Sequence, residues 1–91
     1  MPRNIPYHVV AVEVLPGYRL HVRHVDGVEG IVDMSERLKS PRGGVFDELA
    51  DPERFAAAYV DFGVVTWPGG QDLAPDAMHD EIAAHGIWRL T

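Results

Sequence analysis

The chain has 91 residues and a formal net charge of −6, with 46% hydrophobic residues, 24% charged residues and no cysteine. This length supports a single domain over residues 1–91, and the apolar content is typical of a globular protein rather than a disordered one. The lack of cysteine excludes disulfides, thiolate metal sites and thiol nucleophiles. The eight basic residues are scattered, which argues against direct binding to nucleic acid.

The N-terminal segment shows no signal-peptide pattern, and no apolar stretch is long enough to cross a membrane. We therefore expect a cytoplasmic protein without a membrane partner. Residues 1–6 are expected to be loose.

Three β-rich segments follow, from Val9 to Leu15, from Tyr18 to Val25 and from Val28 to Met34, separated by Pro-Gly and Asp-Gly turns. They predict an antiparallel three-stranded meander.

The second turn has two possible registers. A two-residue Asp26-Gly27 loop mixes polar and apolar residues on one face, whereas a three-residue loop with a left-handed Gly27 pairs Leu20 with Val32. The bulged register also predicts four further pairs: Val22 with Gly30, Tyr18 with Met34, Arg19 with Asp33, and Arg23 with Glu29. Because the alternative register would bury charges, we predict the bulged one. We expect the helix to cover the apolar face, which comprises Val10, Val12, Val14, Tyr18, Leu20, Val22, Val32 and Met34.

The middle of the chain predicts short helical turns. Ser35 is the predicted cap of a turn through Leu38, and Asp51 is the predicted cap of a second turn that begins at Pro52. The segment from Ser40 to Gly44 is the most flexible-looking loop. Four side chains in this region are expected to face the core: Val45, Phe46, Leu49 and Phe55.

The segment from Tyr59 to Trp67 predicts a short hairpin around Gly63, ended by Pro-Gly-Gly. A helix should then begin at Pro75, with Asp72 or Ala74 as its cap, and end at Gly86. Its predicted apolar stripe is Leu73, Ala77, Met78, Ile82 and His85. The predicted fold class is therefore α+β: a three-stranded meander and a second hairpin, packed by one C-terminal helix and one or two short helical turns.

The tail at residues 86–91 contains Ile87, Trp88 and Leu90, an unusually apolar group for a chain end. We expect it to dock either on its own sheet or on a partner, including a homodimer mate.

No residue pattern indicates catalysis. His21 and His24 are expected to point to opposite faces, and His79 and His85 do not share a side of the helix, so neither pair predicts a metal site. The core-facing His24 is expected to be hydrogen-bonded or half-exposed. No serine or threonine lies in a nucleophile motif, and the paired glycines lack a phosphate-binding pattern. We therefore predict no enzyme activity and no cofactor.

The clearest motif runs from Trp67 to Asp76 and reads W-P-G-G-Q-D-L-A-P-D. With the Asp26-Gly27 turn and the Val32-Asp33-Met34 segment, it resembles the bacterial family known as domain of unknown function 2442. The resemblance covers roughly residues 8 to 80. It implies a small α+β protein, in some relatives followed by a helix-turn-helix domain and often encoded beside a member of family 4160, in pairs of the toxin–antitoxin kind. The resemblance brings no catalytic residues.

Three functions are compatible with these observations. The leading hypothesis is a non-catalytic, antitoxin-like interaction module that masks a basic partner protein. The first alternative is a regulatory, ligand-sensing domain that is normally coupled to a helix-turn-helix domain and has an apolar pocket between sheet and helix. The second is a mobile-element inhibitor whose carboxylates imitate nucleic acid. The candidate partner-binding residues are Asp76, Asp80, Glu81, Ile87, Trp88 and Leu90.

Overall fold

A computed structural model describes residues 6–40 and 43–91. The expectations for residues 1–5 and for Pro41-Arg42 in the flexible-looking loop lie outside the described residues. The elements in chain order are β1 (Val9–Leu15), β2 (Arg19–His24), β3 (Glu29–Asp33), α1 (Ser35–Lys39), a 3₁₀ helix (Val45–Ala50), α2 (Pro52–Phe55), β4 (Tyr59–Asp61), β5 (Val64–Thr66), α3 (Pro75–His85) and β6 (Ile87–Arg89). The predicted α+β class is confirmed, with its meander, second hairpin, C-terminal helix and short helices.

The register of β2 and β3 is the bulged one. Leu20 pairs with Val32 and Val22 with Gly30, while Gly27 adopts a left-handed φ of 93° in the turn. This register puts the apolar side chains of both strands on one face and pairs the charged ones on the other. The prediction from side-chain patterning is therefore correct.

The first strand departs from its expected alternation. The β1–β2 register shifts between Val9 and Ala11, so that a bulge turns Val10 outwards and leaves it 49% exposed. Val9 occupies the core position instead and is buried. The prediction that Val10 faces the core is wrong, because a bulge reverses the alternation of the residues before it.

The apolar tail forms a strand of its own. β6 pairs in parallel with β3, with Val32 opposite Trp88, and gives a four-stranded sheet in the order β1-β2-β3-β6. The tail thus docks on the sheet of its own chain, the first of the two alternatives. The chain reaches this position through α3, since parallel neighbours require a crossover connection.

The core lies between the sheet, α3 and the short helices. Its buried apolar residues are Val9, Leu20, Val22, Val32, Met34, Leu38, Leu49, Phe55, Val65, Trp67, Leu73, Met78 and Ile82. The prediction that Val45 faces the core is wrong. Val45 is exposed, because the 3₁₀ helix turns towards the core only from Phe46 onwards.

The helix α3 begins and ends as its residues predict. Pro75 occupies the first turn, Ala74 is the cap residue without a side-chain bond, and Gly86 ends the helix at a left-handed φ of 76°. Two residues of the predicted stripe, Ala77 and His85, are exposed. The stripe is wrong there because the sheet contacts a narrower side of the helix.

Of the two predicted caps of the short helices, one is confirmed and one is wrong. Asp51 caps α2 by accepting a hydrogen bond from the backbone of Glu53, as predicted. Ser35 does not cap α1, because it is the first helical residue and donates its own backbone and hydroxyl hydrogens to Asp33. The carboxylate of Asp33, one step before Met34, therefore stabilises this helix start.

Candidate functional site

The three acidic candidates lie on the outer side of α3. Asp76, Asp80 and Glu81 are all exposed. Glu81 is 3.6 Å from the imidazole of His85, one turn further along the helix. Asp76 lies nine positions before His85, which places it roughly 14 Å along the helix axis from that end.

The three apolar candidates lie in and just after β6, where each is partly buried. A shallow groove runs between the end of α3 and β6. It is lined by Glu81, His85, Ile87, Trp88 and Arg89. The structure thus brings Glu81 to the tail residues Ile87 and Trp88, whereas Asp76, Asp80 and Leu90 lie outside the groove lining. His85 and Arg89 also line the groove but are not among the site residues predicted from the sequence. Their role appears only when the tail lies against the helix.

A second cluster joins three elements at the other end of α3. The buried imidazole of His24 donates from Nδ1 to the carbonyl of Tyr7 at 2.6 Å, and its ring meets the ring of His79 edge to face at 4.9 Å. His79 in turn lies 2.7 Å from the carboxylate of Asp26. The sequence shows a core-facing His24, but its partner on a helix 55 residues away carries no local signal.

The electrostatics of this cluster follow from burial and hydrogen bonding. Burial lowers the pKa of His24, and the nearby His79 lowers it further, against the raising effect of the Tyr7 carbonyl. Hydrogen bonds from His79 and from the backbone of Val28 lower the pKa of Asp26. His24 is therefore neutral at pH 7, and its Nε2 atom has no hydrogen-bond partner among the described residues.

A third polar group supports the local structure near β6. Burial raises the pKa of Asp33, but the hydrogen bonds from Ser35, together with Arg19 and Arg89, bring it below its ordinary value. Its carboxylate is thus ionised at neutral pH. In the part of the chain that the structure describes, no group of three His, Asp or Glu side chains could hold a metal ion.

The ligand-sensing hypothesis expects an apolar pocket between the sheet and the C-terminal helix. Between sheet and helix, a Cβ atom added at Gly30 would lie 2.4 Å from the Gly86 carbonyl oxygen and 2.6 Å from Ile82, so that space is already filled. An apolar groove does occur elsewhere, between the β1–β2 turn and α2. The described acidic residues occur in strands, turns and helices.

A family model described as "Protein of unknown function (DUF2442)" matches residues 9–84 of the chain. The chain belongs to the DUF2442 family. No curated protein and no solved structure gives a significant match. None of the described helices has the length and apolar character needed to span a membrane.

The residues of the DUF2442 motif serve the fold in this structure. Trp67 is buried and donates from its indole nitrogen to the carbonyl of Phe55 at 2.9 Å. Gly70 takes a left-handed φ of 93°, Leu73 is buried and Pro75 begins α3. The amide of Gln71 donates to the Val45 carbonyl and so ties the turn to the 3₁₀ helix. The motif therefore specifies the approach to α3, which positions the groove beside β6.

Proposed function

We propose that this DUF2442 protein is a non-catalytic, antitoxin-like interaction module that binds and masks a basic partner protein. The observation that carries the proposal is the groove at the end of α3, where Glu81 lies beside Ile87 and Trp88. Partly desolvated aromatic and apolar residues supply most of the binding energy of protein interfaces, while charges at the rim select the partner.

The charge of the molecule supports a basic partner. The net charge is −6, and α3 presents Asp76, Asp80 and Glu81 to solvent. Of these three, Glu81 lines the groove. A potential of this sign accelerates the encounter with a cationic surface and disfavours association with a second acidic copy.

Charge reversal on α3 tests the proposal. The protein is co-expressed with the product of the adjacent gene, and the complex is measured by size-exclusion chromatography and calorimetry at low salt. We expect the triple variant Asp76→Lys, Asp80→Lys, Glu81→Lys to weaken the complex by roughly 10- to 100-fold, since each rim charge contributes on the order of 0.5–1 kcal/mol.

A matched variant controls for net charge. Glu36→Lys, Glu53→Lys, Asp61→Lys changes the charge equally at exposed positions away from α3, and it should bind with less than about threefold loss. Separate elution of the two wild-type proteins at low salt, or an equal loss in both triple variants, would contradict the proposal.

A further inference from the structure

The two edges of the four-stranded sheet differ in how they are protected. At β1 the bulge interrupts the strand, and the backbone N–H of Val9 donates to the Gly63 carbonyl of the neighbouring hairpin at 2.9 Å. Bulges and covering elements of this kind keep a sheet edge from pairing with other chains. The edge formed by β6 has neither device within the described residues.

The main chain of β6 shows which residues face that edge. Towards β3, the Gly86 carbonyl accepts a hydrogen bond from Ile31 and the Leu90 N–H donates to Asp33, on either side of the pair formed by Val32 and Trp88. Successive residues of a strand direct their backbone groups to opposite sides. Ile87 and Arg89 therefore direct their N–H and C=O groups outwards, away from β3.

The surroundings of this edge indicate what would pair with it. The groove beside it contains the Glu81 carboxylate, which is about half exposed, and one cation, Arg89. Asp80 precedes Glu81 on the helix, and the molecule as a whole is strongly acidic. A second copy of the chain would bring another charge of −6 to the same place. Complementarity of charge thus favours a cationic segment over self-association.

We propose that the partner adds an extended basic segment to the outer edge of β6 as a fifth strand of the sheet. Its backbone pairs with Ile87 and Arg89, and its Lys or Arg side chains reach Glu81. Because β6 has only three residues, the backbone bonds are few and the groove contacts supply the remaining affinity. This inference rests on the proposed function and specifies how the partner binds.

Substitutions at Arg89 separate backbone pairing from charge. Arg89→Pro removes the outward N–H, and proline is tolerated in an edge strand where that N–H faces solvent. We expect it to weaken the complex with the adjacent gene product at least tenfold. Arg89→Ala keeps the N–H and removes a cation that repels a basic segment, so we expect binding to become about twofold tighter.

Amide hydrogen exchange on the wild-type complex gives a second readout that does not depend on the fold of a variant. The amides of Ile87 and Arg89 should exchange at least tenfold more slowly in the complex than in the free protein. A complex that is sensitive to the α3 charge reversal but leaves these amides unprotected would overturn the inference and leave the proposed function standing. If no complex forms, both the proposed function and this inference fail. A homodimer paired through β6 would then show that a second copy of the chain, and not a basic segment, occupies this edge.

Discussion

Two aromatic residues share an unusual backbone conformation but differ in their surroundings. Tyr18 has a φ of 59° and Phe62 a φ of 48°, a left-handed region that costs an L-residue roughly 1–2 kcal/mol. Tyr18 recovers this cost because its hydroxyl donates to the Ala50 carbonyl and its ring packs edge to face on Phe55. Phe62 is 92% exposed in the β4–β5 turn. The contacts of Tyr18 with the core therefore offset the cost of its left-handed conformation, whereas the ring of Phe62 points to solvent and does not offset it.

Asparagine substitutions at these two positions should therefore change stability in opposite directions. Phe62→Asn places a residue that tolerates the left-handed region before Gly63, and we expect the free energy of unfolding to rise by about 0.5–1 kcal/mol. Tyr18→Asn removes buried contacts, and we expect a loss of about 2–4 kcal/mol. Urea unfolding at pH 7 measures both values. Destabilisation by Phe62→Asn would show that the exposed ring contributes to the fold.

At the scale of elements, the cluster of His24, Asp26 and His79 links the end of β2, the following turn and the first half of α3. Asp80 also approaches His79, with its carboxylate 3.9 Å from Nδ1. His24 is the buried member, and the Tyr7 carbonyl fixes its proton on Nδ1. Protonation of Nε2 would place a charge in the core beside a second imidazole. The packing of α3 on the sheet thus depends on a neutral His24.

Stability should accordingly fall in mildly acidic solution. The folded protein lowers the pKa of His24 from its ordinary value of 6.5, so below pH 6.5 the unfolded chain binds a proton that the folded chain does not. The contribution of neutral His24 to the free energy of unfolding is complete above pH 6.5. It decreases as the pH falls towards the lowered pKa that His24 has in the folded protein. Asp26, with a pKa lowered from 3.8, adds its own loss only in more acidic solution.

Urea unfolding from about pH 7.5 to about pH 5 measures this dependence. His24→Phe removes the titrating group while keeping an aromatic ring, and it should flatten the profile over this range. His85→Phe is the matched control, because it removes an exposed imidazole that lies outside this cluster. An unchanged slope in His24→Phe would assign the pH dependence to other groups.

At the scale of the whole molecule, the path from β3 through α3 to β6 joins the meander to the tail. It brings the end of α3 directly over Gly30, where an added Cβ would lie 2.4 Å from the Gly86 carbonyl oxygen. Such a distance is far below van der Waals contact, and the nearest atom belongs to the backbone. The close approach of helix and sheet, and hence the position of the groove, depends on the absence of a side chain at Gly30.

Gly30→Ala tests this dependence. We expect it to lower the free energy of unfolding by about 2–3 kcal/mol, since the helix end and β6 must move to accommodate the methyl group. Gly44→Ala is the matched control, because its added Cβ meets only the end of the Arg37 side chain at 3.4 Å and its φ is negative. The control should change stability by less than about 0.5 kcal/mol. Equal effects in urea unfolding would contradict the packing argument.

Features that depend on neighbouring residues could be predicted from the amino-acid sequence. The β2–β3 register followed from side-chain alternation, because a slip by one residue would exchange the apolar and charged faces. The Asp51 cap, the start of α3 at Pro75 and its end at Gly86 followed from local backbone chemistry. The acidic face of α3 was equally visible.

Features that depend on residues far apart in the chain became evident only from the folded arrangement. The bulge that exposes Val10, the parallel pairing of β6 with β3 and the contact between His24 and His79 leave no local signal. The candidate residues can therefore be named one by one from the sequence, and they stay a prediction. Their division between a groove at the end of α3 and the remaining helix surface cannot be predicted in this way. The physical reason is that the free energy of these arrangements comes from contacts between elements, which a single stretch of sequence does not contain.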